Sequence, residues 1–96
     1  MTRLTGQVAW VTGAGTGIGE AAALALAAEG ATIILTGRRS APLEAVASRI
    51  RQSGEAHVQP ADLTGSAQVQ RVGNYIRETF NRLDILVNNE IGRAHV

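Results

Sequence analysis

The chain has 96 residues, 45% hydrophobic and 18% charged, with a formal net charge of +1. That length holds one domain at most, and the apolar share excludes a disordered tail. All nine basic residues are arginine and there is no cysteine, which excludes disulfide scaffolds, thiolate nucleophiles, cysteine zinc sites and lysine-dependent catalysis.

Near-neutral charge also argues against a nucleic-acid partner, which needs a basic face. The first ten residues carry no long apolar stretch, and Ala21 to Ala28, the longest apolar run, is too short to span a bilayer. The expectation is a cytoplasmic α/β domain, or part of one, with no nucleic acid, no membrane and no metal.

Gln7 to Thr12 is a β-rich apolar run ending at glycine, which predicts a buried strand. Gly17 to Glu29, rich in alanine and leucine and followed by Gly30, predicts a helix with glycine at its C-terminal stop. Thr32 to Thr36 reads as a second buried strand. A second helix follows, with Ser40 as N-cap, Pro42 in the first turn and a stripe of Leu43, Val46, Ala47 and Ile50. Ala56 to Pro60 is a short third strand. Asp62 to Ser66 is a loop into a third helix with the stripe Val69, Val72, Ile76 and Phe80, stopped by Asn81 in the left-handed conformation. Leu83 to Val87 is the fourth strand, before Asn88-Asn89.

The order β-α-β-α-β-α-β predicts a parallel sheet with helices on both faces, a partial Rossmann fold. Right-handed crossovers put the first two helices on one face. The third helix returns over the first strand to reach the fourth, so it belongs on the other face. The outer edge of the fourth strand then has no neighbour, which predicts marginal stability or aggregation.

The first strand runs into Thr12-Gly13-Ala14-Gly15-Thr16-Gly17-Ile18-Gly19. G-x-G-x-x-G does not fit this run, whereas T-G-x-x-x-G-x-G does, on Gly13, Gly17 and Gly19. Such a turn brings backbone close to a pyrophosphate and aims a helix N-terminus at it. Gly15, Thr16 and Ile18 complete the candidate phosphate loop. A glycine-rich turn with no ligand is the plain alternative, but this one joins a strand to a helix in a repeated unit.

The chain here resembles the short-chain dehydrogenase/reductase family, from Leu4 to about Asn89. The resemblance rests on Thr12-Gly13-x-x-x-Gly17-Ile18-Gly19, on Asp62-Leu63 after the third strand, and on Leu83-Asp84-Ile85-Leu86-Val87-Asn88-Asn89, similar to the family's D-I-L-V-N-N-A-G. It implies hydride transfer between a nicotinamide cofactor and a carbonyl or alcohol. A NAD site wants a carboxylate at the end of the second strand; Gly37 stands there, followed by Arg38 and Arg39. That favours NADP, with NAD the alternative, because Arg38 offers a forked donor set to a 2′-phosphate and Arg39 supports it. A solvated arginine loop is the competing reading. The resemblance further implies that Asp62 bonds the adenine amino group, that Leu63 flanks the ring, and that Asn89 lies near the adenosine ribose. A loop turn or N-cap is the equal alternative for Asp62. Thr12 is expected to pair with backbone near the glycine turn, Asn88 to tie strands together, and Trp10 to be core.

By the same resemblance, catalysis needs a tyrosine, a lysine four residues later and a substrate-binding serine, the lysine lowering the tyrosine pKa. The chain's one tyrosine, Tyr75, is followed four residues on by Thr79, and neither His57 nor His95 replaces it. No catalytic residue is therefore assigned. The expectation is the cofactor-binding half, residues 1–89, of a homo-oligomeric NADP-dependent enzyme with a small-molecule substrate. The alternative is a non-catalytic dinucleotide-binding module that needs a partner chain. After Asn89 the family's Ala-Gly is replaced by Glu90, and Ile91-Gly-Arg-Ala-His-Val96 followed by a stop is one translated frame of a common short-read sequencing adapter. Residues 90–96 are thus expected to be a non-native tail from adapter read-through.

Overall fold

A computed structural model describes residues 3–89. The expected tail, residues 90–96 with His95, lies outside the described residues. Seven elements follow in order: β1 (Val8–Thr12), α1 (Gly17–Ala28), β2 (Thr32–Thr36), α2 (Ser40–Arg51), β3 (Ala56–Val58), α3 (Ser66–Phe80) and β4 (Ile85–Asn88). The strands form one parallel sheet in the order β3-β2-β1-β4. All five residues of β1 are buried, as a central strand covered on both faces requires.

Alternation along the strands sends side chains to two layers. Ala9 and Val11 of β1, with Ile33 and Leu35 of β2, join Ala23 of α1 and Leu43, Val46, Ala47 and Ile50 of α2. Val8, Trp10 and Ile34 point the other way, to Val72 and Ile76 of α3. Helices therefore cover both faces, two on one side and one on the other, as the crossover argument required. Among the described residues no helix is long and apolar enough to cross a membrane.

Several boundaries differ from the expectation, three of them for a local reason. Ser40 lies inside α2 rather than capping it; Arg39, with extended backbone, holds the N-cap position and gives no side-chain cap. Arginine lacks a short acceptor side chain, so the first-turn N–H groups of α2 receive no such bond. Strand β3 stops at Val58 rather than Pro60. Pairing continues as single bonds from Gln59 N–H to the Leu35 carbonyl and from Ala61 N–H to the Gly37 carbonyl, both 2.9 Å, but Pro60 between them has no N–H. Strand β4 begins at Ile85 rather than Leu83, because the Asp84 carboxylate accepts the Val8 N–H at 2.8 Å and takes the place of a ladder carbonyl. Strand β4 also extends one residue further, to Asn88, and β1 begins one residue later than expected, at Val8. The stops follow expectation: Gly30 has φ +98° and Asn81 has φ +58°.

Candidate functional site

The C-terminal ends of β1 and β2 open into a cleft of about 490 Å³. Gly13, Gly15 and Thr16 form one wall; Gly37, Arg38 and Arg39 form the other; Pro42, Leu43 and Ala61 close it. Two segments whose nearest residues, Thr16 and Gly37, are 21 positions apart are thus brought to one mouth. The β2–α2 connection is only Gly37 to Arg39, so the start of α2 must sit at the same sheet edge as the glycine turn.

Within the turn the glycines answer different demands. Gly13 has φ +61° and Gly17 φ +57°, the left-handed region that disfavours a side chain. Gly19 is buried, and a Cβ there would collide with the Gly13 carbonyl oxygen, so α1 lies directly on the turn. Thr16 occupies the N-cap of α1 in extended conformation without a side-chain cap bond. The first-turn N–H groups and the positive helix end thus lack a side-chain acceptor from that residue, as an anion site at a helix start needs. Ile18 is 75% exposed and stands on the first turn of α1 outside the cleft lining.

Arg38 and Arg39 are exposed, and among the described residues neither guanidinium makes a hydrogen bond or ion pair. Among the described residues no acidic side chain lines the cleft. Asp62 sits nearby. Its carboxylate accepts the Thr64 N–H at 3.0 Å and the Thr64 hydroxyl at 2.7 Å, closing a turn ahead of α3, while Gly65 holds the N-cap position. Those bonds, with a smaller contribution from the Arg38 charge, hold the Asp62 carboxyl below its ordinary range. The loop-turn role of Asp62 is thus in place, and its N-cap role is not.

Leu63 lies on the other side of the sheet, in a crevice with Trp10, Thr12, Val69, Leu86 and Asn88. Asn89 sits behind the glycine turn: its N–H donates to the Thr12 hydroxyl at 2.9 Å and its amide to the Gly13 carbonyl at 3.4 Å. The Thr12 hydroxyl in turn reaches the Val87 carbonyl and the Asn88 side-chain oxygen, so it pairs, as expected, with backbone near the glycine turn, at the end of β4. Asn88 ties strands as expected, through its oxygen. Trp10 is 7% exposed, its indole N–H donating to the Thr36 hydroxyl at 2.8 Å, so it is core. Tyr75 faces a separate groove beside Gln59 and Arg71 and packs edge-on to Phe80, away from the cleft. His57 is held by Glu55 at 2.6 Å and by the same Phe80 edge. Sequence reasoning missed Pro42, Leu43 and Ala61 as cleft residues; the short β2–α2 connection was the available signal for the first two.

Comparison with known proteins now decides the lineage. The short chain dehydrogenase family profile matches residues 7–92. The chain belongs to the short-chain dehydrogenase family. An uncharacterised oxidoreductase of Staphylococcus aureus is 44% identical over 89 residues, covering 93% of this chain and 38% of that protein. One from Mycobacterium tuberculosis is 42% identical over 90 residues, covering 93% and 34%. The chain thus spans well under half the length of the curated relatives it matches. Among solved structures, a metagenomic short-chain oxidoreductase in complex with NADP superposes with TM-score 0.89 at 39% identity, over 95% of this chain and 41% of that one. L-Sorbose reductase from Gluconobacter frateurii, complexed with NADPH and L-sorbose, gives TM-score 0.89 at 32% identity, over 98% and 37%. The partial Rossmann fold is therefore shared with short-chain oxidoreductases along nearly the whole chain.

Proposed function

We propose that residues 1–89 are the cofactor-binding half of a cytoplasmic, homo-oligomeric short-chain oxidoreductase that uses NADPH to interconvert a carbonyl and an alcohol. The observation that carries this reading is the cleft itself. A glycine turn with a helix start faces two guanidiniums that, among the described residues, have no hydrogen-bond or ion-pair partner, and no described carboxylate lines the space between them. Such a surface favours a cofactor with an additional phosphate on its ribose over one without it. When bound, the cofactor supplies the hydride. Gly13 to Gly19 would hold its pyrophosphate, and Arg38 and Arg39 its 2′-phosphate. Asp62 would meet the adenine and Asn89 would brace the turn at the ribose, while Leu63, in the crevice on the other side of the sheet, is left out of the site. The NADP-bound solved relative supports the choice of cofactor.

Among the described residues no histidine or tyrosine that could donate the proton lines the cleft. Tyr75 is packed against Phe80 in a separate groove and the chain has no lysine. We therefore expect the chain to bind cofactor without turnover, the substrate site lying in residues that only the longer relatives contain. Titration with NADPH and NADH, followed by nicotinamide fluorescence, tests the binding. Arg38→Asp is expected to weaken NADPH about tenfold or more, the scale of one charge-assisted hydrogen bond, and to leave NADH much less affected. Equal losses would remove the 2′-phosphate from the reading, and measurable carbonyl reduction by the chain would remove the claim of inactivity.

A further inference from the structure

Gly15 occupies a position that the T-G-x-x-x-G-x-G pattern leaves free, and its backbone is not in the left-handed region, unlike Gly13 and Gly17. Conformation therefore does not call for glycine there. Space does: a Cβ on Gly15 would stand 2.9 Å from the Pro42 Cβ, with the Leu43 Cδ2 at 3.8 Å. A separation of that kind forces something to move. The Pro42 ring has no rotamer that would carry its Cβ away. Leu43, the next residue, is fully buried and pins α2 to the core. Any adjustment must shift either the glycine turn or the start of α2.

The start of α2 is where the cationic wall hangs. Arg39 is its N-cap and Arg38 precedes it, three and four residues before Pro42. We infer that Gly15 and Pro42 are a matched pair of positioning residues: their close contact sets the distance between the phosphate loop and the two arginines, and with it the discrimination between phosphorylated and unphosphorylated cofactor. This rests on the NADPH reading above. Gly15 also belongs to the loop that would hold the pyrophosphate, which both cofactors share; the effect on their discrimination passes through the placement of Arg38 and Arg39.

The test titrates NADPH and NADH into the full chain as wild type, Gly15→Ala, Pro42→Gly and the double variant, with thermal unfolding recorded for each. Gly15→Ala is expected to weaken NADPH about tenfold and NADH less than about threefold, the size expected when one methyl group is forced into a packed contact. Pro42→Gly removes the clashing Cβ, so the double variant is expected to regain most of the lost preference. Three outcomes overturn the inference: Gly15→Ala binds NADPH as wild type does, both cofactors lose equally, or the double variant recovers nothing. Where Gly15→Ala does not fold, the double variant carries the test, and a double variant that is equally unfolded counts against the pair. A wild-type chain with no preference for NADPH overturns the cofactor reading and the inference together. A wild-type preference that Gly15→Ala leaves intact overturns the pair alone.

Discussion

On the face covered by α1 and α2, Ile33, Leu35, Leu43 and Ala47 are all fully buried and the layer is closed. On the face covered by α3, Ile34, Val72 and Ile76 are buried, but Leu86 of β4 keeps 54% of its surface in water and nearby Leu83 keeps 44%. The same strands feed both layers. What differs is the number of helices that cover them, and one helix leaves the β4 side open. The candidate cofactor cleft draws its walls from the glycine turn and the start of α2, so it rests on the completed layer. A binding site can thus be in place on a sheet whose opposite face is still half-dressed.

The largest effect should come from the closed layer. Leu43→Ala removes a fully buried side chain that also lines the cleft, and we expect a loss of about 4 kcal/mol, enough to abolish cooperative unfolding in a small domain. A loss below about 1 kcal/mol by denaturant titration would show that this layer is no better packed than the other. Acid should act next, and on the open side. The Arg82 guanidinium and the Val8 N–H hold the Asp84 carboxyl below its ordinary range, so its folded pKa lies under its unfolded one. Stability from this group is present above the unfolded value, about pH 4, and disappears as pH falls through the folded value. Chemical denaturation across that range should show Asp84→Asn flatter than wild type; parallel curves would remove Asp84 as the clasp between β1 and β4.

Leu86→Ala should cost less than about 1 kcal/mol, since most of the side chain is already in water. A cost like that of Leu43→Ala, rising with protein concentration, would mean that another chain covers this face. The smallest effect is a gain. Gly73 lies inside α3 with open space where its Cβ would be, so Gly73→Ala should stabilise by about 0.5–1 kcal/mol through helix propensity alone. Destabilisation would show a close neighbour at that position and break the contrast between the faces.

Much of the fold was legible because its signals are local. The stripe Leu43, Val46, Ala47 and Ile50 is the buried stripe of α2, and Asn81 takes the left-handed stop its residue type favours. Two misplaced strand ends have a traceable cause, a side chain or a missing N–H in the backbone ladder. Asp84 replaces a carbonyl at the start of β4, and Pro60 interrupts the end of β3. In the site, Gly13 to Gly19 and Arg38-Arg39 could be placed from their position after strands, and the cleft brings Gly13, Gly15, Thr16, Arg38 and Arg39 together. Its third wall was only partly visible, since the short β2–α2 connection signalled Pro42 and Leu43 but nothing signalled Ala61. The meeting of Pro42 with Gly15 is a tertiary contact across 27 positions of sequence, and no periodicity announces it. Asn89 is a similar case, because its amide serves a carbonyl 76 residues earlier.

The chain has one tryptophan, and Trp10 stands with its indole anchored on Thr36 while its ring lines the crevice beside Leu86 on the open face. The protein thus carries its own optical gauge at the boundary between finished and unfinished packing. Anything that settles on that face, whether further chain or another molecule, comes up against this single indole. The ring is already nearly dry, so the arrival should show less as a shift in its colour than as a change in its intensity and in its reach by a small dissolved quencher.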